Sequence, residues 1–449
     1  MSLRLGAMDG RERNCMLFKN VTLYQDGQIK KDVFVRILNG KIEGIGALAP
    51  ALDPGEEVRD ARDTVMLPGF ANTHSHIPMT LMRGYGEGLP LQRWLFEKMF
   101  PFEDRLNGQD IYWGTQLGLL EMIASGTVSY SDMYYFVEEI ALATVEAGVK
   151  ANIGRGVTQR ADAPTFKDHV AYRDIEALEI TVRDRAWGSL IKVDTTIHGE
   201  YTSDEALVRE VAEYSKATGR ILQVHLSETK SEHDACVEQR GMTPAEYFSR
   251  CGLFDGPVIA AHCVHVTDRD IEILKDHDVT VAHCISSNMK LGSGIAPLKK
   301  FLDRGVRVTL GTDGAASNNN LNFMEEIHLA AMVHKAFERD SLFLSPQDLL
   351  DMVTRHGFAA QGRPESGTLK VGSAADLILI STDSPHMTPS FDILANLIYS
   401  AQSSDVCLTM VNGRILYDNG DFKTLDKEKI LYMARASQAR ILSELGAGR

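Results

Sequence analysis

The 449-residue chain contains no uninterrupted apolar run of the roughly 18 residues that a membrane-spanning helix needs, and no charged-then-apolar leader of the secretory kind. Neither a membrane partner nor an export route is expected, and the cytoplasm is the expected compartment. The opening MSLRLGAMDGRERN reads as a loose polar leader. The six cysteines, Cys15, Cys236, Cys251, Cys263, Cys284 and Cys407, include no C-x-x-C pair, so reduced and mostly buried thiols are expected. Positive charge is also scarce, with 47 Lys and Arg against 61 Asp and Glu, a formal charge of −14 and no basic run. That excludes a nucleic-acid polymer as partner, because phosphate binding calls for clustered cations. A small ligand remains open, since a local cationic pocket can sit inside an acidic protein.

What is present suits a large soluble core: 44% of residues are hydrophobic and 24% charged. The length fits a barrel of roughly 250 to 300 residues plus an accessory unit. Short alternating β-type runs occupy residues 15 to 66 and return after Gly367. The pieces LNGKIEGIG and VNGRILYDNG resemble each other, each an Asn-Gly turn followed by a cation and an isoleucine, which suggests paired hairpins built from both chain ends. Between them, short apolar strands alternate with amphipathic stretches such as SDEALVREVAEYSKATG, a βα repetition that favours a parallel sheet. The expectation is an α/β fold, a (β/α)8 TIM-type barrel over residues 67–368, with a small β-sandwich built from residues 1–66 and 369–449, the latter carrying a C-terminal helix. Eight strands are expected at VMLPGFANTH, TVSYSDM, KANIGRGV, LIKVDTTIH, RILQVHLS, PVIAAHC, VTVAHC and RVTLGTD.

Barrel enzymes place their chemistry at the C-terminal strand ends. Here those ends carry His74 and His76, Arg155, His198, His225, His262, His283 and Asp313. One histidine at a strand end is more often structural than ligating, but this recurrence is not what core filling produces. Positions i and i+2 of a strand point the same way, so His74 and His76 present two imidazoles to one barrel mouth. Two such nitrogens suit a borderline divalent ion such as Zn, Fe or Mn. His225 and Asp313 are the candidates to complete the set. Glu228, three residues after His225, can stand over the ion as a proton carrier, although an ordinary helix-start glutamate reads equally well from that segment alone. His262 supplies a second proton-handling group. His265 and His283 carry no spacing that demands metal or proton transfer, and GAASNNNLN lacks the lysine and spacing of a phosphate loop.

PGFANTHSHIPMTLMRGYGEGLPLQRWL, VHLSET, AAHCVH, NMKLGSGIAP and TLGTDGAASNNNLN together resemble the amidohydrolase superfamily, within it the 5'-methylthioadenosine/S-adenosylhomocysteine deaminases and their triazine-hydrolase relatives. The resemblance runs from about Leu17 to about Gly420. It implies one catalytic ion, zinc foremost, held by His74, His76, His225 and Asp313. It implies hydrolysis of the 6-amino group of an adenine nucleoside to the inosine analogue and ammonia. Asp313 with His262 would draw the proton of the attacking water, and Glu228 would protonate the ring nitrogen beside the reacting carbon. Glu103 would bind the ribose hydroxyls, His198 the base, and Arg155 and Arg173 a carboxylate tail, with Trp94 a cavity wall. The family makes a homo-oligomer the expectation. Departures occur at TTIHGEYTS, which adds Glu200, at CISSN after His283, and in a longer TQRADAPTFKDHVAYRD. The alternatives are deamination of another ring (guanine, 8-oxoguanine, a pterin or a triazine), a two-metal amide hydrolase, or a metal-binding protein without catalysis. The two-metal reading is disfavoured because strand four ends in His198, with Lys192 several residues upstream.

Overall fold

The computed structural model describes residues 15–158 and 163–446. The polar leader, at residues 1–14, and part of the longer segment before Arg173, at residues 159–162, lie outside the described residues. The chain opens with β1 (Cys15–Gln25), β2 (Gln28–Leu38), β3 (Lys41–Gly46), β4 (Glu57–Asp60) and β5 (Thr64–Pro68). Eight strands follow: β6 (Phe70–Ser75), β7 (Thr127–Tyr134), β8 (Lys150–Arg155), β9 (Ile191–Ile197), β10 (Leu222–Leu226), β11 (Val258–His262), β12 (Thr280–His283) and β13 (Val308–Leu310). The chain closes with β14 (Leu377–Ser381), β15 (Val406–Val411), β16 (Arg414–Asp418), β17 (Asp421–Phe422) and the helix Lys427–Glu444.

β6 to β13 pair in sequence order as one parallel sheet. Their residues are almost all buried, as strands covered by helices outside and by one another inside must be. The sheet curls until β13 meets β6, making the TIM-type barrel. This seam is held by the Asp313 amide donating to the His74 carbonyl at 3.0 Å and by Thr73 Oγ1 donating to the Leu310 carbonyl at 2.9 Å. Asn72 spans it as well, donating to Thr312 Oγ1 at 2.7 Å and accepting from the Thr312 amide at 3.1 Å.

The other nine strands, from both chain ends, form one mixed sheet with a core of its own around Phe18, Val35, Met66, Leu377 and Met410. The two Asn-Gly hairpins read from the sequence are both there, joining β2 to β3 and β15 to β16. Asn39, Gly40, Asn412 and Gly413 have φ of 50°, 79°, 47° and 74°, the doubly positive pattern of a type I′ turn. The turns also touch: a Cβ on Gly40 would stand 2.7 Å from the Asn412 carbonyl oxygen.

One expected strand is divided. VMLPGFANTH is two strands, with Thr64–Pro68 paired to β14 in the outer sheet and Phe70–Ser75 in the barrel. Gly69 makes the break, because a side chain there would collide with Val128, 2.4 Å from where its Cβ would stand. The helix Lys427–Glu444 leaves the outer sheet and packs on the barrel helix Gly108–Ala124, where Arg440 pairs with Asp110. Among the described residues no helix is long and apolar enough to cross a membrane.

Candidate active site

At the C-terminal mouth of the barrel a cavity is lined by His76, His198, His225, Glu228, His262 and Asp313, with Trp94 and Glu103 on its wall. The ring nitrogens of His74, His76 and His225 lie within 4.8 Å of one another. His76 Nε2 is 3.2 Å from His225 Nε2. Asp313 Oδ1 approaches His74 Nε2 to 3.6 Å and His76 Nε2 to 3.2 Å.

Backbone carbonyls orient two of these rings. His76 Nδ1 lies 2.6 Å from the Met133 carbonyl and His225 Nδ1 2.7 Å from the His198 carbonyl. Each Nδ1–H therefore donates outward, which leaves both Nε2 lone pairs turned toward the shared centre. His74 Nε2 is buried without a hydrogen-bond partner. Burial, joined by repulsion from the neighbouring rings, holds His225 well below the ordinary imidazole range and His74, despite the opposing pull of Asp313, at about 4. The Asp313 carboxylate, against the opposing effect of burial, raises His76 to about 9, so a bound ion would take the place of a proton there. Two neutral imidazoles, a third paired with a carboxylate and an orphaned buried nitrogen, all aimed at one point, are what a divalent ion would satisfy, so the donor set fits one.

Asp313 is itself held from behind, its Oδ2 accepting from Ser287 Oγ at 2.6 Å and Ser317 Oγ at 2.7 Å. The turns that present Asp313 and His262 are both unusual, with φ of 59° and 70°, left-handed values that cost a residue with a side chain. His262 Nδ1 donates to Asn288 Oδ1 at 2.8 Å, and its Nε2 lies 3.9 Å from Glu228 Oε2. Burial raises the Glu228 carboxyl above its ordinary range, which favours a form able to give a proton.

Glu103 accepts from the Tyr134 hydroxyl at 2.7 Å, and burial pushes its carboxyl up to about 7. His198 lines the cavity with its ring kept neutral, at about 4, by burial. The two arginines are elsewhere. Arg155 follows the period of two in β8, in which Asn152 faces the barrel interior and reaches Asp194 at 3.0 Å, so Arg155 faces outward. There it pairs with Asp174 at 3.0 Å and stacks on the Tyr135 ring at 4.4 Å. Arg173 is exposed on the helix Val170–Asp184 and does not line the cavity. Arg155 thus lies against Tyr135, a ring of the cavity wall, and Arg173 stands on the exposed face of its helix.

Several supports went unread in the sequence. Ser287 and Asn288 sit in CISSN, and Ser317 in GAASNNN, segments whose offsets from Asp313 and His262 exist only in three dimensions. Glu232 Oε2 accepts from the Glu228 amide at 3.0 Å as the third residue of a capping box begun by Thr229, a pattern T-x-x-E that was legible. Glu200 is buried near Glu232 with its Oε2 lacking a hydrogen-bond partner, and burial raises its carboxyl to about 7. His265 holds the Ser293 carbonyl at 2.7 Å, and Ser293 Oγ reaches Glu228 at 3.5 Å. His283 faces away from the cavity, with its Nε2 2.9 Å from His334 Nε2.

The seam also predicts a sensitive position. A Cβ on Gly311 would stand 2.9 Å from His74 Cβ and 3.0 Å from the His74 carbonyl oxygen. Gly311→Ala is expected to weaken ion binding by about tenfold or more with the outer sheet unaffected, since misplacing one ligand strand degrades the whole donor set. Ion affinity by competition with a chelating dye measures it.

The amidohydrolase family model matches residues 65–416, and the chain belongs to that family. It is 40% identical over 420 residues to a 5-methylthioadenosine/S-adenosylhomocysteine deaminase of Caldanaerobacter subterraneus subsp. tengcongensis, covering 93% of this chain and 96% of the relative. A protein of the same name from Dictyoglomus thermophilum is 42% identical over 381 residues, covering 84% and 87% of the two chains. Among solved structures, a zinc-bound adenosine deaminase of Xanthomonas campestris superposes with a TM-score of 0.89 at 27% identity, covering 95% of this chain and 98% of that one.

Proposed function

We propose that the protein is a metal-dependent aminohydrolase that converts an adenine nucleoside, such as S-adenosylhomocysteine, 5'-methylthioadenosine, adenosine or 5'-deoxyadenosine, to its inosine analogue and ammonia. The observation that carries this is the placing of Glu103 and its Tyr134 partner in the same cavity as Glu228, His262 and the three imidazoles. The relatives named above, alike over most of the chain, support the same substrate class.

His74, His76, His225 and Asp313 would hold one divalent ion, for which zinc is our choice on the donor chemistry. The bound ion supplies an attacking water of lowered pKa. Asp313, its Oδ1 facing the centre, takes the water's proton, and His262 steadies the oxygen that joins C6. Glu228 gives its proton to the ring nitrogen next to that carbon, which makes C6 electrophilic. A further proton relayed through Glu228 lets the amino group leave as ammonia. Water adds, ammonia departs, and the base keeps a carbonyl oxygen. His198, kept neutral, hydrogen-bonds the base, and Trp94 walls the cavity.

Glu103 receives the Tyr134 proton on one oxygen and has the other free for a ribose hydroxyl. Glu103→Ala should raise KM for nucleosides by about 10- to 100-fold, the scale of losing charge-assisted hydrogen bonds. Turnover of free bases should not change. Ammonia release from S-adenosylhomocysteine, methylthioadenosine, adenosine, guanine and 8-oxoguanine at matched concentrations tests the whole reading. Silence on every nucleoside with release from a free base would replace the substrate and the role of Glu103. The reading extends to a cytoplasmic homo-oligomer, supported by six unbridged cysteines and by Phe337, Leu342 and Phe391 standing 55%, 88% and 100% exposed.

A further inference from the structure

We propose a second ion position buried beside this cavity, formed by His74, Cys284 and the cavity-lining His262 and selective for a soft cation such as Cd2+. Its ligand atoms lie within 4.8 Å of one another, and all three side chains are buried. His74 Nε2 lacks a hydrogen-bond partner, and the bond from His262 to Asn288 uses only one nitrogen of that ring, which leaves the other as a donor. Cys284 ends the segment VTVAHC, at the point where the sequence departs from its family's pattern. Its sulfur makes a weak contact, 3.6 Å to the Ala282 carbonyl, that a metal bond would easily replace. No other cysteine belongs to such a cluster among the described residues.

The sulfur decides the class of ion. Two imidazoles and a thiolate favour Cd2+, Hg2+ or Cu+ over Mn2+ or Mg2+. Binding exchanges the S–H bond for a sulfur–metal bond and releases the thiol proton to water. The position shares His74 with the His74–His76–His225 set, so the two sites exclude each other. A soft ion here also takes His262 away from Glu228, and so it inhibits whatever reaction the cavity performs.

The test needs no substrate. Cd2+ is titrated into the ion-free full-length protein, and the ultraviolet charge-transfer absorbance of a cadmium–thiolate bond is followed. One equivalent per chain is expected to give the band, and Cys284→Ser is expected to lack it. Prior loading with Mn2+, which occupies the first set without seeking sulfur, is expected to weaken Cd2+ binding about tenfold or more. This competition uses the unaltered chain and so stands if the variant fails to fold. An unchanged band in a folded Cys284→Ser protein, or Cd2+ affinity indifferent to Mn2+, overturns the proposal. Where turnover is measurable, Cys284→Ser should resist Cd2+ inhibition about tenfold or more, because Cys284 is not part of the catalytic set.

Discussion

Glu228→Gln is expected to lower kcat by about 100- to 10,000-fold, the range of a lost general acid–base, while ion content and KM stay within a few-fold. Glutamine fills the same volume and leaves the Glu228 amide bonded to Glu232 Oε2 at 3.0 Å. It cannot give a proton to a ring nitrogen or pass one to a leaving amine. A hundredfold loss corresponds to about 2.7 kcal/mol of transition-state stabilisation. The carboxyl is 7% exposed and faces His262 at 3.9 Å, so no solvent acid can readily substitute for it. Steady-state ammonia release, read beside metal analysis of the same sample, separates the outcomes. Normal turnover would remove Glu228 from the chemistry, and loss of the ion with loss of rate would make it a structural support.

The sequence was legible where a period or a turn determines what a residue can do. Alternation at the end of β6 brings His74 and His76 to one side, and the doubly positive φ of the Asn-Gly pairs, Asn39–Gly40 and Asn412–Gly413, makes both hairpins readable. The barrel was legible from βα repetition, though Gly69 divided its first strand for a steric reason that only the contact with Val128 reveals. Arg155 shows what a motif leaves out, the direction of a side chain. It stands beside residues that do line the cavity, Gly156 among them, yet strand alternation turns its side chain out to Asp174. Ser287, Ser317 and Asn288 were hidden for a different reason. Short polar side chains after a strand are common in turns, and only closure of the barrel shows that two of them reach one oxygen of Asp313.

Chelation of the ion is expected to abolish turnover and to lower Tm by a few degrees, with Zn2+ restoring both. Strand pairing and the hydrogen bonds of the β13–β6 seam hold the sheet together, so the chelated protein is expected to stay folded. It is left, however, with His74 Nε2 buried and unpaired, a defect of about 1–3 kcal/mol. Free ion at a hundred times its Kd stabilises the folded state by roughly 2.7 kcal/mol, which sets the size of the shift. His225→Ala should lose the ion and the activity together, because His225 contributes one of the three imidazoles of the His74–His76–His225 set. Asp313→Asn should behave differently. The amide keeps an oxygen for the ion but cannot take the water's proton, so ion content should fall less than kcat. Metal analysis, calorimetry and ammonia release on the same three samples distinguish a catalytic ion from a structural one. A structural ion would move Tm on chelation and leave the rate per folded molecule intact. If His225→Ala retained a full equivalent of ion and its rate, the convergence of His74, His76 and His225 would be a packing arrangement of rings around Asp313.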